Sequence, residues 1–229
     1  MKIAVLGTGM VGHAIGSKLL AGGHEVAMGS RAVDSEAAQQ WIRNVGGNGR
    51  AGTFADVAAF GEIIFDCTNG ANSLTALRQA GAANMKGKIL VQIANPLDFS
   101  RGMPPSLTVC NTNSLAEQVQ REFQEVRLVK ALNTMSYMIM VEPSLVPGDH
   151  TLFICGNDPA GRVEVADHLC DWFGWRRENI LDLGDITASR GLEMFLPLWL
   201  RIWSAVGNAP FNIHVVKLDG MQSKPVRER

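Results

Sequence analysis

The chain has 229 residues, 46% of them apolar and 19% charged, enough to bury a sizeable core and too apolar for a solvated, disordered polymer. Its formal net charge of −1, with no Lys/Arg-rich run, argues against nucleic acid as a partner. Cys67, Cys110, Cys155 and Cys170 form no Cys-x-x-Cys pair, which argues against a zinc ribbon or a dithiol redox motif and suits reduced core thiols.

The first residues, MKIAVLGTGM, lack the apolar length of a cleavable signal and run straight into a strand, so a cytoplasmic setting is expected. The most membrane-like stretch, Met194 to Val206, is shorter than the roughly 20 apolar residues a spanning helix needs. Pro197 and Arg201 also interrupt it, so no membrane span is expected.

In chain order, Lys2 to Leu6 reads as a strand. Gly7-Thr8-Gly9-Met10-Val11-Gly12 follows, and then Val11, Ile15, Leu19 and Leu20 at helical spacing. Gly22-Gly23 stops that helix, and His24 to Met28 is the second strand, ending at Gly29-Ser30-Arg31. Asp34 is the expected cap of a helix running to about Val45, closed by Gly46-Gly47. Glu62 to Asp66 and Lys88 to Ile93 are buried strands, with a helix from Ser73 to Ala80 between them. A helix from Ser114 to Phe123 precedes the strand Val126 to Ala131. Beyond a loop at Pro143 to Asp149 come a strand at Thr151 to Cys155, a helix from Pro159 to Phe173 and a strand at Ile180 to Leu183. A long apolar helix from Thr187 to Val206, a strand at Phe211 to Val216 and a polar tail complete the chain.

This alternation predicts an α/β fold, a Rossmann-type doubly wound parallel sheet with a small C-terminal α/β extension. The expected division is a nucleotide-binding domain over residues 1–140 and an acceptor-side, oligomerisation region over residues 141–229. Phe195, Leu198, Trp199, Ile202, Trp203 and Val206 recur at helical spacing and exceed what a small core needs, so a homodimer burying that helix is expected.

The G-x-G-x-x-G run gains force from its place between the first strand and a helix. Gly7 suits the tight turn, Gly9 the approach of a pyrophosphate, and Gly12 close packing of helix on sheet. The helix N-terminus adds free N–H groups and a positive dipole end. An NAD site would carry an acid at the end of the second strand. Ser30-Arg31 stands there instead, and a hydroxyl beside a guanidinium suits the 2′-phosphate of NADP. Cys67-Thr68-Asn69 and Asn95 follow two further strands at the same carboxyl edge, where they are candidates for ribose and phosphate contacts. The five histidines show no metal-ligand spacing, and no Ser lies in a G-x-S-x-G elbow, so neither a metal site nor hydrolase chemistry is expected.

Three segments carry a family resemblance: KIAVLGTGMVG with GSR closing the second strand, VKALNTM from Val129 to Met135, and ILDLGDITASRGLEMFLPLW from Ile180 to Trp199. Together they resemble the deazaflavin (coenzyme F-420)-dependent NADP oxidoreductases. They are also similar to the cytosolic NADPH-binding domain of six-transmembrane metalloreductases, whose spanning segment this chain lacks. The resemblance implies that Thr8, Gly9, Met10 and Val11 form the pyrophosphate loop and that Ser30 and Arg31 hold the 2′-phosphate. It also implies that Leu132, Asn133, Thr134 and Met135 lie beside the nicotinamide. In the archaeal deazaflavin enzymes a His commonly stands where Asn133 stands, whereas the metalloreductase-like members have Asn.

The expected activity is hydride transfer between NADPH and a small redox acceptor, coenzyme F-420 or a flavin, with no catalytic acid or base because the rings need only to be stacked. Leu192, Met194, Phe195, Leu196 and Trp199 are expected to wall the acceptor. Two rivals remain: an NADPH-dependent imine or hydroxy-acid reductase, of a type that uses an all-helical C-terminal domain, and a non-catalytic NADPH sensor.

Overall fold

The computed structural model describes residues 1–46 and 49–218, and the expected roles of Gly47 and the end of the polar tail lie outside them. The first half contains β1 (Lys2–Leu6), α1 (Met10–Ala21), β2 (Glu25–Ser30), α2 (Glu36–Val45), β3 (Gly49–Thr53), α3 (Phe54–Phe60), β4 (Ile63–Asp66), α4 (Gly70–Ala80), α5 (Ala82–Met85) and β5 (Ile89–Gln92). A short hairpin, β6 (Leu97–Asp98) and β7 (Ser106–Leu107), leads to α6 (Leu115–Glu122), β8 (Arg127–Ala131) and α7 (Tyr137–Val141). The chain continues with β9 (Leu152–Cys155), α8 (Pro159–Phe173), β10 (Ile180–Asp182), α9 (Ser189–Met194) and α10 (Leu196–Ala205).

Eight strands form one sheet in the order β10-β9-β8-β5-β4-β1-β2-β3. From β8 to β3 every pair is parallel, as helical crossovers demand, while β9 runs antiparallel to β8 and β10 follows β9. The strands after residue 140 thus extend the same sheet. Within β1, Ile3 and Val5 enter one core cluster while Ala4 and Leu6 enter the other, so both faces are covered. Burial on both faces is why these strands read as unbroken apolar runs. The chain crosses from β2–β3 on one side of β1 to β4 on the other, which opens a crevice at the carboxyl ends of β1 and β4.

Four local expectations change. Helix α2 starts at Glu36 with Ser35, not Asp34, at its cap, and Gly46 ends it at φ 62°. Strand β3 and helix α3 were not anticipated, because Gly-Arg-Ala-Gly-Thr lacks β-formers and α3 spans only seven residues. Pairing with β2 supplies what propensity does not, and Thr53 with Asp56 makes a reciprocal capping box. The helix expected from Thr187 to Val206 is divided at Phe195, because Pro197 has no N–H to give to the preceding turn. Residues 211–216 form no strand. They run beside the start of β9, where the Thr151 N–H donates to the Ile213 carbonyl (2.7 Å). No described helix is long and apolar enough to cross a membrane.

Candidate active site

The glycine loop separates two kinds of constraint. A Cβ on Gly7 would lie 2.7 Å from the Cys67 carbonyl oxygen, and one on Gly12 would lie 2.0 Å from the Gly7 carbonyl oxygen. Gly7 also sits at φ 116°, in the region glycine favours. The fold itself therefore demands both. Gly9 differs: its backbone is ordinary extended chain (φ −85°), and a Cβ there would meet no protein atom within 4 Å. It is the cap residue of α1 and places no side chain over the first-turn N–H groups. Such an uncovered helix end beside an unobstructed glycine fits a phosphate group.

A cleft of 730 Å³ starts at this loop, lined by Gly7, Thr8, Gly9, Ser30, Arg31 and Ser35 on one side and Cys67, Thr68 and Asn69 on the other. Ser30 is the buried last residue of β2, and its hydroxyl donates to the Ala32 carbonyl. Arg31 is exposed beside it, so a guanidinium and a hydroxyl flank the cleft where an acid is absent.

Asp66, the last residue of β4, was read only as the end of a strand, yet it organises the opposite wall. Its buried carboxylate accepts from the Thr68 N–H (3.1 Å) and hydroxyl (2.6 Å) and from the Ser73 hydroxyl (2.5 Å). Burial pushes this carboxyl up, while the bonds from Ser73 and Thr68 and the charge of Lys130 pull it back. The sequence signal was an acid closing an apolar strand with hydroxyls two and seven residues on. Asn69 caps α4 by accepting from the Ala71 N–H (3.0 Å). Burial holds the Cys67 thiol well above its ordinary range and pushes Cys155 up to about 12, so both stay protonated and unreactive.

A second cavity, of 220 Å³, shares Cys67, Thr68 and Asn69 with the first and is further lined by Val11, Asn95, Asn133, Met135, Tyr137, Leu196 and Trp199. Two asparagines frame its floor. Asn95 Nδ2 donates to the Asn133 carbonyl (2.9 Å), and Asn133 Nδ2 donates to Asn95 Oδ1 (2.9 Å) and to the Leu192 carbonyl (3.2 Å). Leu132, which precedes Asn133, is buried at φ 63°, a left-handed conformation that costs a non-glycine residue about 1–2 kcal/mol. Such strain is characteristic of sites whose geometry the surroundings impose. Leu132 and Thr134 are buried and line neither cavity; nor do Met10, exposed on α1, and Gly12, which supports the loop.

The far wall depends on a buried charge network that sequence inspection did not identify. Lys130, fully buried on β8, donates to Gln92 Oε1 (2.5 Å), the Ala94 carbonyl (2.5 Å) and Glu193 Oε1 (2.9 Å). The Glu193 carboxylate on α9 also accepts from the first-turn N–H groups of Leu115 (2.7 Å) and Ala116 (3.1 Å). Desolvating such a pair is costly, and here the extra hydrogen bonds and the α6 dipole offset that cost. Arg190 adds a bidentate contact to Glu117, and the Ser114 and Ser189 hydroxyls meet at 2.7 Å. Helix α9 is thereby fixed to the sheet edge, and α10 follows with Leu196 and Trp199 against the cavity. Among the described residues no group of three His, Cys, Asp or Glu is arranged to hold a metal.

The crossover crevice, the glycine loop and the cleft between them define a Rossmann-type dinucleotide-binding protein. Solved structures bear this out at the level of fold. A hypothetical protein from Sinorhizobium meliloti is 21% identical with a TM-score of 0.66, over 83% of this chain and 88% of its own. A reductive aminase from Aspergillus terreus, solved with NADPH and ethyl levulinate, is 16% identical with a TM-score of 0.64, over 90% of this chain and 62% of its own. Residues 2–96 match the family described as NADP oxidoreductase, coenzyme F-420-dependent. A candidate F-420-dependent NADP reductase from Arthrobacter sp. FB24 is 48% identical with a TM-score of 0.89, over 95% of this chain and all of its own. No protein of curated function matches. The chain belongs to the coenzyme F-420-dependent NADP oxidoreductase family and is an NADP-dependent oxidoreductase.

Proposed function

We propose that the protein transfers hydride between NADPH and a flavin or deazaflavin acceptor of the coenzyme F-420 type. The observation that carries this reading is that the two cavities share Cys67, Thr68 and Asn69. A dinucleotide whose pyrophosphate meets Thr8, Gly9, Met10 and Val11, on the turn that Gly7 and Gly12 support, extends along those shared residues into the smaller cavity. Ser30 and Arg31 hold its 2′-phosphate, and Cys67, Thr68, Asn69 and Asn95 contact its ribose and phosphate groups. Asn133 and Met135 line the floor under the nicotinamide, and Leu132 and Thr134, buried beside them, set the backbone that carries it. When bound, NADPH supplies the hydride. The chain's own contribution is to orient the ring on that floor and to exclude water with Met135, Tyr137, Leu196 and Trp199.

In this reading residues 1–140 bind the nucleotide and residues 141–229 close the acceptor side. Leu198 is exposed on α10 and Val206, Val215, Val216 and Leu218 are exposed beyond it, and we assign this apolar surface to a second copy of the chain. Sedimentation returning one concentration-independent monomer mass contradicts the dimer.

The activity is tested by steady-state NADPH oxidation with coenzyme F-420, FMN, FAD and ferric chelates. Turnover with coenzyme F-420 or a free flavin is the expected result. Tight NADPH binding with no turnover in any of these assays makes the protein a sensor, and selective reduction of a cyclic imine moves it to the imine-reductase class.

A further inference from the structure

Among the described residues, two buried side-chain polar atoms without a hydrogen-bond partner belong to residues lining the 220 Å³ cavity: Asn133 Oδ1 and Trp199 Nε1. One is an acceptor, the other a donor. Neither is free to turn toward a protein partner. The Asn133 amide is fixed by its Nδ2 bond to the Leu192 carbonyl, which only accepts, and the Asn95 amide is fixed in turn by its bond to the Asn133 carbonyl. The Trp199 indole stacks against the rings of both Phe211 (centroids 5.4 Å apart, 22° between planes) and Trp203 (6.2 Å, 10°). Phe211 is itself anchored by its neighbours, since Asn212 Nδ2 donates to the Thr151 carbonyl and Ile213 accepts from the Thr151 N–H. A buried donor and a buried acceptor left open in a folded protein are costly unless a ligand completes them.

We propose that Trp199 is a specificity-determining residue whose Nε1–H donates to a ring carbonyl of the hydride acceptor, while Asn133 Oδ1 accepts from the carboxamide N–H of the nicotinamide. The assignment rests on the function proposed above. Asn133 follows β8 at the same sheet edge as the glycine loop, where the dinucleotide ends, whereas Trp199 comes from α10, outside the parallel strands that hold the nucleotide. The substrate class this selects is a flat ring bearing a carbonyl on its edge, which flavins and deazaflavins share and simple imines lack. The stack of Trp203, Trp199 and Phe211 holds the N–H in place for that carbonyl.

The test is Trp199→Phe, which keeps an aromatic ring in the stack while removing the donor together with part of the indole's ring area. Its KM for coenzyme F-420 and FMN should rise about 3- to 10-fold while the NADPH Kd stays unchanged. An unchanged acceptor KM overturns the proposal, as does a loss confined to NADPH binding, which assigns the indole to the carboxamide instead. Should the variant fail to fold, the wild-type protein with nitrogen-labelled tryptophan gives the same answer. One indole N–H resonance should move downfield when FMN is added to the NADP-saturated protein, and no movement overturns the assignment. If the wild-type protein binds NADPH but reduces neither acceptor, the functional reading itself fails. If it turns over and Trp199→Phe matches it, only the role of Trp199 fails.

Discussion

The two walls of the site are built by different means. The glycine-loop wall, from Gly7 to Ser30, is built largely of backbone, with a left-handed glycine, a helix end without a covering side chain and the terminus of a parallel strand, and the Arg31 side chain joins it at the rim. The wall around Asn133 is made of side chains brought together over long separations, with Lys130 meeting Glu193 across 63 positions and Asn95 meeting Asn133 across 38. A backbone-built site survives sequence change wherever the glycines and the strand remain. A side-chain-built site depends on every member of its network, so substitutions should have unequal effects on the two walls.

The largest effect is expected at the buried ion pair. Glu193→Ala leaves the Lys130 ammonium unpaired in the core and frees the α6 N-terminus, and should cost about 3–5 kcal/mol of stability in a urea titration. Acceptor turnover should fall with it as α9 loses its anchor. A loss below 1 kcal/mol would show that the network does not hold this wall.

Next in size is Arg31→Ala, which should weaken NADPH binding by about 10- to 100-fold, the range of a lost charge-assisted contact of roughly 1.5–3 kcal/mol, while NADH binding barely changes. Equal losses for both nucleotides in calorimetric titrations would remove Arg31 from the 2′-phosphate site.

Two glycines in one loop sharpen the contrast further. Gly12→Ala forces a Cβ onto the Gly7 carbonyl and should destabilise the fold by about 1–3 kcal/mol. Gly9→Ala meets no protein atom, so its stability should stay within about 0.5 kcal/mol of wild type while NADPH affinity drops about tenfold or more. If Gly9→Ala binds NADPH normally, the phosphates do not approach that backbone.

The smallest effect concerns acidity. The Arg190 guanidinium holds the Glu117 carboxyl below its ordinary range against the opposing effect of burial, so the folded-state pKa lies below the unfolded one. The stabilisation this pair gives is complete above the usual carboxylate range and is lost as pH falls through the lowered value. Wild-type stability should therefore decline more steeply than that of Glu117→Gln on acidification. Parallel declines would show that the pair contributes nothing to the acid sensitivity.

The same division governs what was legible in the sequence. The alternation of elements, the glycine loop and Ser30-Arg31 are encoded within short windows, so the crossover sheet and the residues lining its first cleft could be read directly. Leu132 gave no warning of its left-handed backbone, since nothing in Ala-Leu-Asn-Thr calls for one. Lys130 looked like an ordinary charged residue in a strand, and its fully buried state depends on Glu193, which only the folded chain brings near. The helix expected from Thr187 to Val206 carried its own contradiction in Pro197, and the weak edge strand β3 exists only because β2 offers it a partner.

The central claim, direct hydride transfer within one continuous cleft, is tested most directly by label transfer. NADPH carrying deuterium at the reactive face of its nicotinamide is mixed anaerobically with the protein and coenzyme F-420, and the reduced deazaflavin is examined by mass spectrometry. The account predicts deuterium retained on the central ring carbon of the product. A reduced deazaflavin that carries only solvent hydrogen, or NADPH that binds and is never oxidised, would contradict it.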